Sequence, residues 1–241
     1  MRSRGIQHTN SENLHLVAEL CSMSPLALRD SIIRAAREIN ALGVNQGTAG
    51  NISVRDGDAM LITPSGIAFT TMTAEMIAVV SLVESDLVFE GPLEPSTEWR
   101  FHRDILRARR DVNAVVHTHP LYATTLSVLR RDIPAAHYMI AAFGDNRIRC
   151  TDYAPYGTAE LSQHAVTGLG KAHGVLLGNH GAIVTGSNLD KALWRAVELE
   201  ALAKIYYLAS LAGTPVVLPD DEIARTIERF KNYGLKPPRD C

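Results

Sequence analysis

The sequence predicts a single α/β domain of three-layer type, with a central, mostly antiparallel β-sheet flanked by helices. Three observations carry this. Apolar residues recur at helical spacing in several separate segments, and short β-rich runs bounded by Gly, Pro or Asp lie between them. No repeat, low-complexity stretch or linker divides the 241 residues, a length that suits one large core.

Taken in order, residues 1–24 read as a polar N-terminal arm, and residues 25–241 as the domain. Ser24-Pro25 opens a helix whose apolar positions Leu28, Ile32, Ala35, Ala36 and Ile39 share one face, and Gly43 ends it. Two short strands, 52–54 and 59–63, follow around the turn Asp56-Gly57-Asp58; Gly66 marks another turn, and 77–82 reads as a strand. A Pro-rich loop, 91–95, leads into Ser96 and a helix running to about Arg109. Residues 114–119 form a strand stopped by Pro120, a helix covers 122–129, and 159–169 is helical. Strands 175–177 and 182–185 flank Gly178-Asn179-His180-Gly181, and the longest helix runs from an Asn188 N-cap to Ala212.

Composition narrows the function. The chain is 46% hydrophobic and 21% charged, with 24 Lys+Arg against 26 Asp+Glu. It has no basic block, which argues against nucleic acid and membrane surfaces as partners. No apolar run approaches the roughly 18 residues of a membrane span. Cys21, Cys150 and Cys241 are odd in number and far apart, so a disulfide framework is not expected. Met1-Arg2-Ser3-Arg4 has no apolar stretch behind it, so no secretion signal is expected and the location is read as cytoplasmic.

His117 and His119 lie two apart on a predicted strand, so both imidazoles point to one face and can share an ion. By itself such a pair more often means one functional histidine and one core or surface histidine. His180, in its glycine-flanked turn, is the best third ligand, and three neutral imidazoles suit a catalytic Zn2+ with one position open. Among the others, His102 and His137 fit near-site positions, and His164 and His173 fit solvated ones. Glu98 follows Ser96-Thr97 at a predicted helix start, where a carboxylate is favoured by the helix dipole whether or not it has a function. The free N–H groups there also make an anion site. The turns Thr48-Ala49-Gly50-Asn51 and Thr63-Pro64-Ser65-Gly66 are ordinary turns on composition alone, or a cradle for phosphate.

Read together, the motifs resemble those of the class II aldolase/adducin family. The matching stretches are Asn45-Gln46-Gly47-Thr48-Ala49-Gly50-Asn51, Leu61-Ile62-Thr63-Pro64-Ser65-Gly66, Glu98-Trp99-Arg100-Phe101-His102 and Ala114-Val115-Val116-His117-Thr118-His119. They continue through Ile133-Pro134-Ala135-Ala136-His137-Tyr138-Met139-Ile140, Asn179-His180-Gly181, Lys191-Ala192-Leu193-Trp194 and Tyr233-Gly234-Leu235. The likeness runs from about Pro25 to Leu235 in family order. It implies a zinc-dependent aldolase, an aldehyde-lyase that cleaves a ketose 1-phosphate to dihydroxyacetone phosphate and an aldehyde. L-fuculose 1-phosphate and the 5-deoxy- and 5-methylthio-ribulose 1-phosphates are the candidate substrates.

By the same resemblance His117, His119 and His180 hold Zn2+, or another divalent ion such as Mn2+ or Co2+. Glu98 sits near the metal in the free enzyme and acts as acid and base once substrate arrives. Gly50, Asn51, Ser65, Gly66, Ser96 and Thr97 hold the phosphate. Tyr138 crosses from a neighbouring subunit of a homotetramer, whose active sites lie at subunit interfaces, and Tyr233 is a mobile-tail tyrosine near the site. Thr97 stands where many members carry serine. Asn179 stands where a histidine flanks the ligand in the ketose-phosphate aldolase pattern, and Tyr156 where phenylalanine is usual. The same fold also serves sugar-phosphate 4-epimerases, which carry aspartate at the Glu98 position, decarboxylases, and a non-catalytic adducin-type head that lacks the metal ligands.

Overall fold

The computed structural model describes residues 25–230. The arm expected over 1–24 and the tail tyrosine Tyr233 lie outside the described residues. Along the chain run α1 (Pro25–Ala41), β1 (Asn51–Asp56), β2 (Ala59–Ile62), β3 (Ala78–Ser81), β4 (Phe89–Glu90), α2 (Trp99–Ala108), β5 (Ala114–Thr118) and α3 (Leu121–Val128). Then come β6 (Ile133–Pro134), β7 (Arg147–Cys150), α4 (Ala159–Leu169), β8 (Gly174–Leu177), β9 (Gly181–Gly186), α5 (Leu189–Ala212) and α6 (Asp220–Phe230). The strands form one sheet in the order β4-β3-β2-β1-β5-β9-β8-β7-β6. Every pairing is antiparallel except β7 with β8. Among the described residues no helix is long and apolar enough to cross a membrane.

Two cores, one on each face of the sheet, make the three layers. One buries Ile32 and Ile39 of α1, Ala123 of α3 and Leu199 of α5 against Ile52, Val116 and Val184. The other buries Phe101 and Ile105 of α2 and Leu161 of α4 against Val115, Val175 and Ile183. The strands therefore alternate between two apolar faces, and β5 sends Ala114 and Val116 one way and Val115 the other. His117 follows Val115 to the second face, where its ring meets Phe101 edge-on at 5.4 Å between centroids.

Local chemistry sets the element ends. The Asn188 side chain accepts from Lys191 N–H at 2.9 Å and caps α5, and Thr158 does the same for α4 through Leu161 N–H at 3.2 Å. β1 and β2 close on a two-residue loop between Asp56 and Ala59, and its first residue, Gly57, takes φ 57°. Four elements differ from the sequence expectation. β4 and β6 are two-residue edge pairings, β7 is a charged four-residue strand, and α6 follows Pro219 where no helix was expected. Residues 138–143 form a 3-10 helix. His173 is not a solvated residue, because its Nδ1 meets Thr185 Oγ1 at 2.9 Å; His164 is likewise half-buried, with its Nδ1 enclosed.

Candidate active site

The site lies where the C-terminal end of β5 meets the start of β1 and the β8–β9 turn. The β1–β5 register sets Asn51 opposite His117, and β9 flanks β5 on the other side, so three chain segments deliver side chains to one point. Loop 45–50 is tied down by Asn45, whose amide donates to Ala49 O and whose Oδ1 accepts from His119 N–H at 3.2 Å. Gly50, at φ 73°, comes so close to β5 that a Cβ there would stand 2.6 Å from His117 O. A bridge between Pro64 and Pro95, with Ser96 N–H donating to Thr63 O at 3.0 Å, sets the Ser65-Gly66 and Ser96-Thr97 turns side by side.

The left-handed residue of the β8–β9 turn is Asn179, at φ 54°, and neither neighbouring glycine takes that role. The glycines give room instead: a Cβ on Gly181 would stand 2.5 Å from Thr118 O and 2.7 Å from the His119 ring. Asn179 is fixed by its N–H to Ser127 O at 3.2 Å and by Arg130 Nε, which donates to its Oδ1 at 2.8 Å. That geometry turns His180 inward.

Three imidazoles converge. The potential ligand atoms of His117, His119 and His180 all lie within 4.8 Å of one another, the one such group of three or more metal-ligating side chains among the described residues. Their rings are mutually edge-on, at 73–76° and 4.8–4.9 Å between centroids. His117 Nδ1 faces Ala182 O at 2.9 Å, so that nitrogen carries the proton and donates, leaving the Nε2 lone pair toward the centre. His117 and His119 bring their Nε2 atoms to 2.9 Å of each other.

Glu98 completes the cluster. It is the N-cap residue of α2, one position before the first turn, yet its side chain caps nothing. Its carboxylate points inward, with Oε2 3.3 Å from His117 Nε2 and Oε1 3.2 Å from His180 Nε2. Oε1 is buried and accepts no hydrogen bond. Such an orphaned carboxylate oxygen, among imidazole lone pairs that face each other, fits a divalent cation between them. Burial works to raise the Glu98 carboxyl, but the His117 and His180 imidazoles and the Asn51 amide outweigh it and hold the group below the usual carboxylate range.

A pocket of about 390 Å3 opens onto this cluster. Its wall includes Gly50, Asn51, Ser65, Gly66, Ser96, Thr97, Glu98, His119 and His180, together with Tyr153, Tyr156 and Asn179. His117 lies behind them, fully buried. Tyr138 is not in the wall; it starts the 3-10 helix after β6 and is 50% exposed. His137 caps that helix, its Nδ1 accepting from Met139 N–H at 3.3 Å. Asn45 opens one of the matching stretches without a site role of its own, and nothing in the sequence marks Ser53; loop packing and strand register bring them to the site.

The buried histidines make stability depend on pH. Burial lowers His102 and His117 to about 3, and burial with Arg195 and Arg109 nearby does the same for His173, against an ordinary value of 6.5. Between those limits the unfolded chain binds up to three protons that the folded chain refuses, so stability is full above pH 6.5 and falls as pH drops. The depressed Glu98 carboxyl adds to the loss below its own unfolded value. Melting temperatures between pH 4 and 7 are expected to fall steadily on acidification; a flat profile over that range contradicts this burial pattern.

Residues 30–207 match the family described as Class II Aldolase and Adducin N-terminal domain, and the chain belongs to that family. Among its relatives, it is 48% identical over 211 residues to the 5-methylthioribulose-1-phosphate/5-deoxyribulose-1-phosphate aldolase of Rhodospirillum rubrum, covering 88% of this chain and 94% of that one. It is also 48% identical over 218 residues to the L-fuculose phosphate aldolase of Escherichia coli, covering 87% and 96% respectively. A solved L-fuculose 1-phosphate aldolase superposes with a TM-score of 0.81 at 39% identity, over 85% of this chain and 96% of that one. The chain is accordingly an enzyme, a metal-dependent aldehyde-lyase of the class II aldolase type.

Proposed function

We propose that this pocket cleaves a ketose 1-phosphate between C3 and C4, releasing dihydroxyacetone phosphate and an aldehyde, with Zn2+ held by His117, His119 and His180. The observation that carries the reading is the convergence of three imidazoles beside the buried Glu98 carboxylate, next to a wall of small polar turns. When bound, the ion supplies Lewis-acid polarisation of the substrate carbonyl.

The chain's own residues do the rest. Gly50, Asn51, Ser65, Gly66, Ser96 and Thr97 bind the phosphate through backbone N–H groups and hydroxyls. Ser96 is well suited, since its Oγ accepts from the Asn51 amide at 2.9 Å and from Glu98 N–H at 3.3 Å, leaving its own hydrogen free to donate into the pocket. Bond cleavage removes the C4 hydroxyl proton and places a proton on C3. Glu98, ionised before the bond breaks, takes up the proton that the C4 hydroxyl releases and delivers it to C3. Tyr138 of a neighbouring subunit in a homotetramer serves the aldehyde oxygen, and Tyr233 is a second catalytic tyrosine.

The relatives of equal identity act by name on different ketose phosphates, which share the phosphate end and differ at the aldehyde end. Tyr153, Tyr156 and Asn179 of the pocket lining are the residues we assign to that end. Apolar pockets separate such groups by only about 1–3 kcal/mol per methylene, so activity on more than one is expected. The test is a coupled assay for dihydroxyacetone phosphate with L-fuculose 1-phosphate, 5-deoxyribulose 1-phosphate and 5-methylthioribulose 1-phosphate. Release from at least one supports the proposal, and release from none removes it.

A further inference from the structure

Behind Glu98, on the face of β1 turned toward α2, runs a chain of buried polar side chains. Asn51 donates its amide hydrogens to Glu98 Oε2 and Ser96 Oγ, both at 2.9 Å. Asn51 Oδ1 meets His102 Nε2 at 2.5 Å, and His102 Nδ1 meets Ser53 Oγ at 2.7 Å. Asn51 and Ser53 are two apart on β1 and so share a face, and one imidazole from α2 bridges them. Ser53 and His102 are completely buried, and Asn51 nearly so.

Only one polarity satisfies this chain. An ionised carboxylate accepts and cannot donate, so the Asn51 amide must turn its NH2 to Glu98 and its oxygen to His102. His102 Nε2 must then carry a proton. Burial keeps the ring neutral, so Nδ1 holds a lone pair and Ser53 must donate its hydroxyl to it. The serine hydroxyl can donate or accept, so the polarity is set from the carboxylate end and Ser53 holds the ring by completing the chain. Turned over, Asn51 would set its oxygen against the carboxylate, acceptor against acceptor.

We infer that Ser53 and His102 are positioning residues for Glu98, which they hold against the cluster through Asn51 without touching substrate. The inference rests on the reading of Glu98 as the proton carrier.

Two substitutions at one position test the relay. In His102→Gln the side-chain amide reaches the Nε2 position and still donates to Asn51. In His102→Asn the shorter amide occupies the Nδ1 position and leaves Asn51 Oδ1 without a donor. With zinc-loaded protein and whichever of the three ketose phosphates turns over best, His102→Asn is expected to lower kcat about 10–100-fold at unchanged zinc content. His102→Gln should stay within about fivefold of wild type, and Ser53→Ala should fall between them. Equal losses in the Gln and Asn variants, or none in either, overturn the inference.

A readout free of activity uses metal-free protein labelled with 15N-histidine, with the His102 signals assigned by their loss in His102→Gln. The ring should be an Nε2–H tautomer in wild type and remain so in Ser53→Ala, because the Asn51 carbonyl still requires the donor. An Nδ1–H ring in wild type overturns the relay even where His102→Asn fails to fold. If wild type releases no dihydroxyacetone phosphate, the functional reading fails, while the tautomer measurement still decides whether the relay exists.

Discussion

Glu98→Gln is expected to lower kcat by about 10²–10⁴-fold, the range that positioned proton transfer contributes, with metal content and KM near wild type. The substitution isolates the proton because it preserves the shape of the site. A glutamine carbonyl can still accept from the Asn51 amide, now 2.9 Å from Oε2, and the three imidazoles are untouched. What is lost is a group that both takes and returns a proton. Steady-state kinetics with metal analysis of the same preparation checks this, and near-wild-type turnover would take Glu98 out of its role.

His119→Ala should have an effect at least as large. Losing one of three protein ligands removes the ion from the site, and with it several kcal/mol of transition-state stabilisation, about 10³-fold or more in kcat. His119 is the better choice than His117, because His117 is fully buried against Phe101 and its removal endangers the fold as well. His119 is partly exposed on the pocket wall, so a folded variant is expected. The measurement is metal per chain by elemental analysis alongside turnover. A variant that keeps both a full complement of metal and its activity excludes His119 as a ligand.

How far these features are legible in one dimension depends on how local their causes are. The helices that became α1, α4 and α5 were readable because apolar period, caps and breakers all lie within the segment, as with Asn188 ahead of α5. His117 and His119 were readable as a same-face pair because strand period two is a property of the strand alone. α6 had a local signal that went unread, Pro219 followed by the acidic first turn Asp220-Asp221-Glu222. β4 and β6 had none: two-residue pairings exist only because a neighbour is there to pair with.

The site divides the same way. Residue types and order pointed to His180 and Glu98, but the direction of the Glu98 carboxylate comes from the packing of α2 against the sheet. The relay through Ser53 and His102 depends on that packing and on the register that sets Asn51 opposite His117, and neither leaves a mark on the sequence. Within the turn, Asn179 adopts the left-handed conformation and Gly181 clears space for the His119 ring, a division that a glycine-flanked histidine does not reveal in sequence.

Turnover of a ketose 1-phosphate by one preparation, before chelation, after exhaustive chelation and after addition of one equivalent of Zn2+ per chain, tests the account most directly. Dihydroxyacetone phosphate release should disappear with the metal and return with it, in proportion to the zinc bound. Undiminished release from protein with no detectable metal would contradict the role given to His117, His119 and His180.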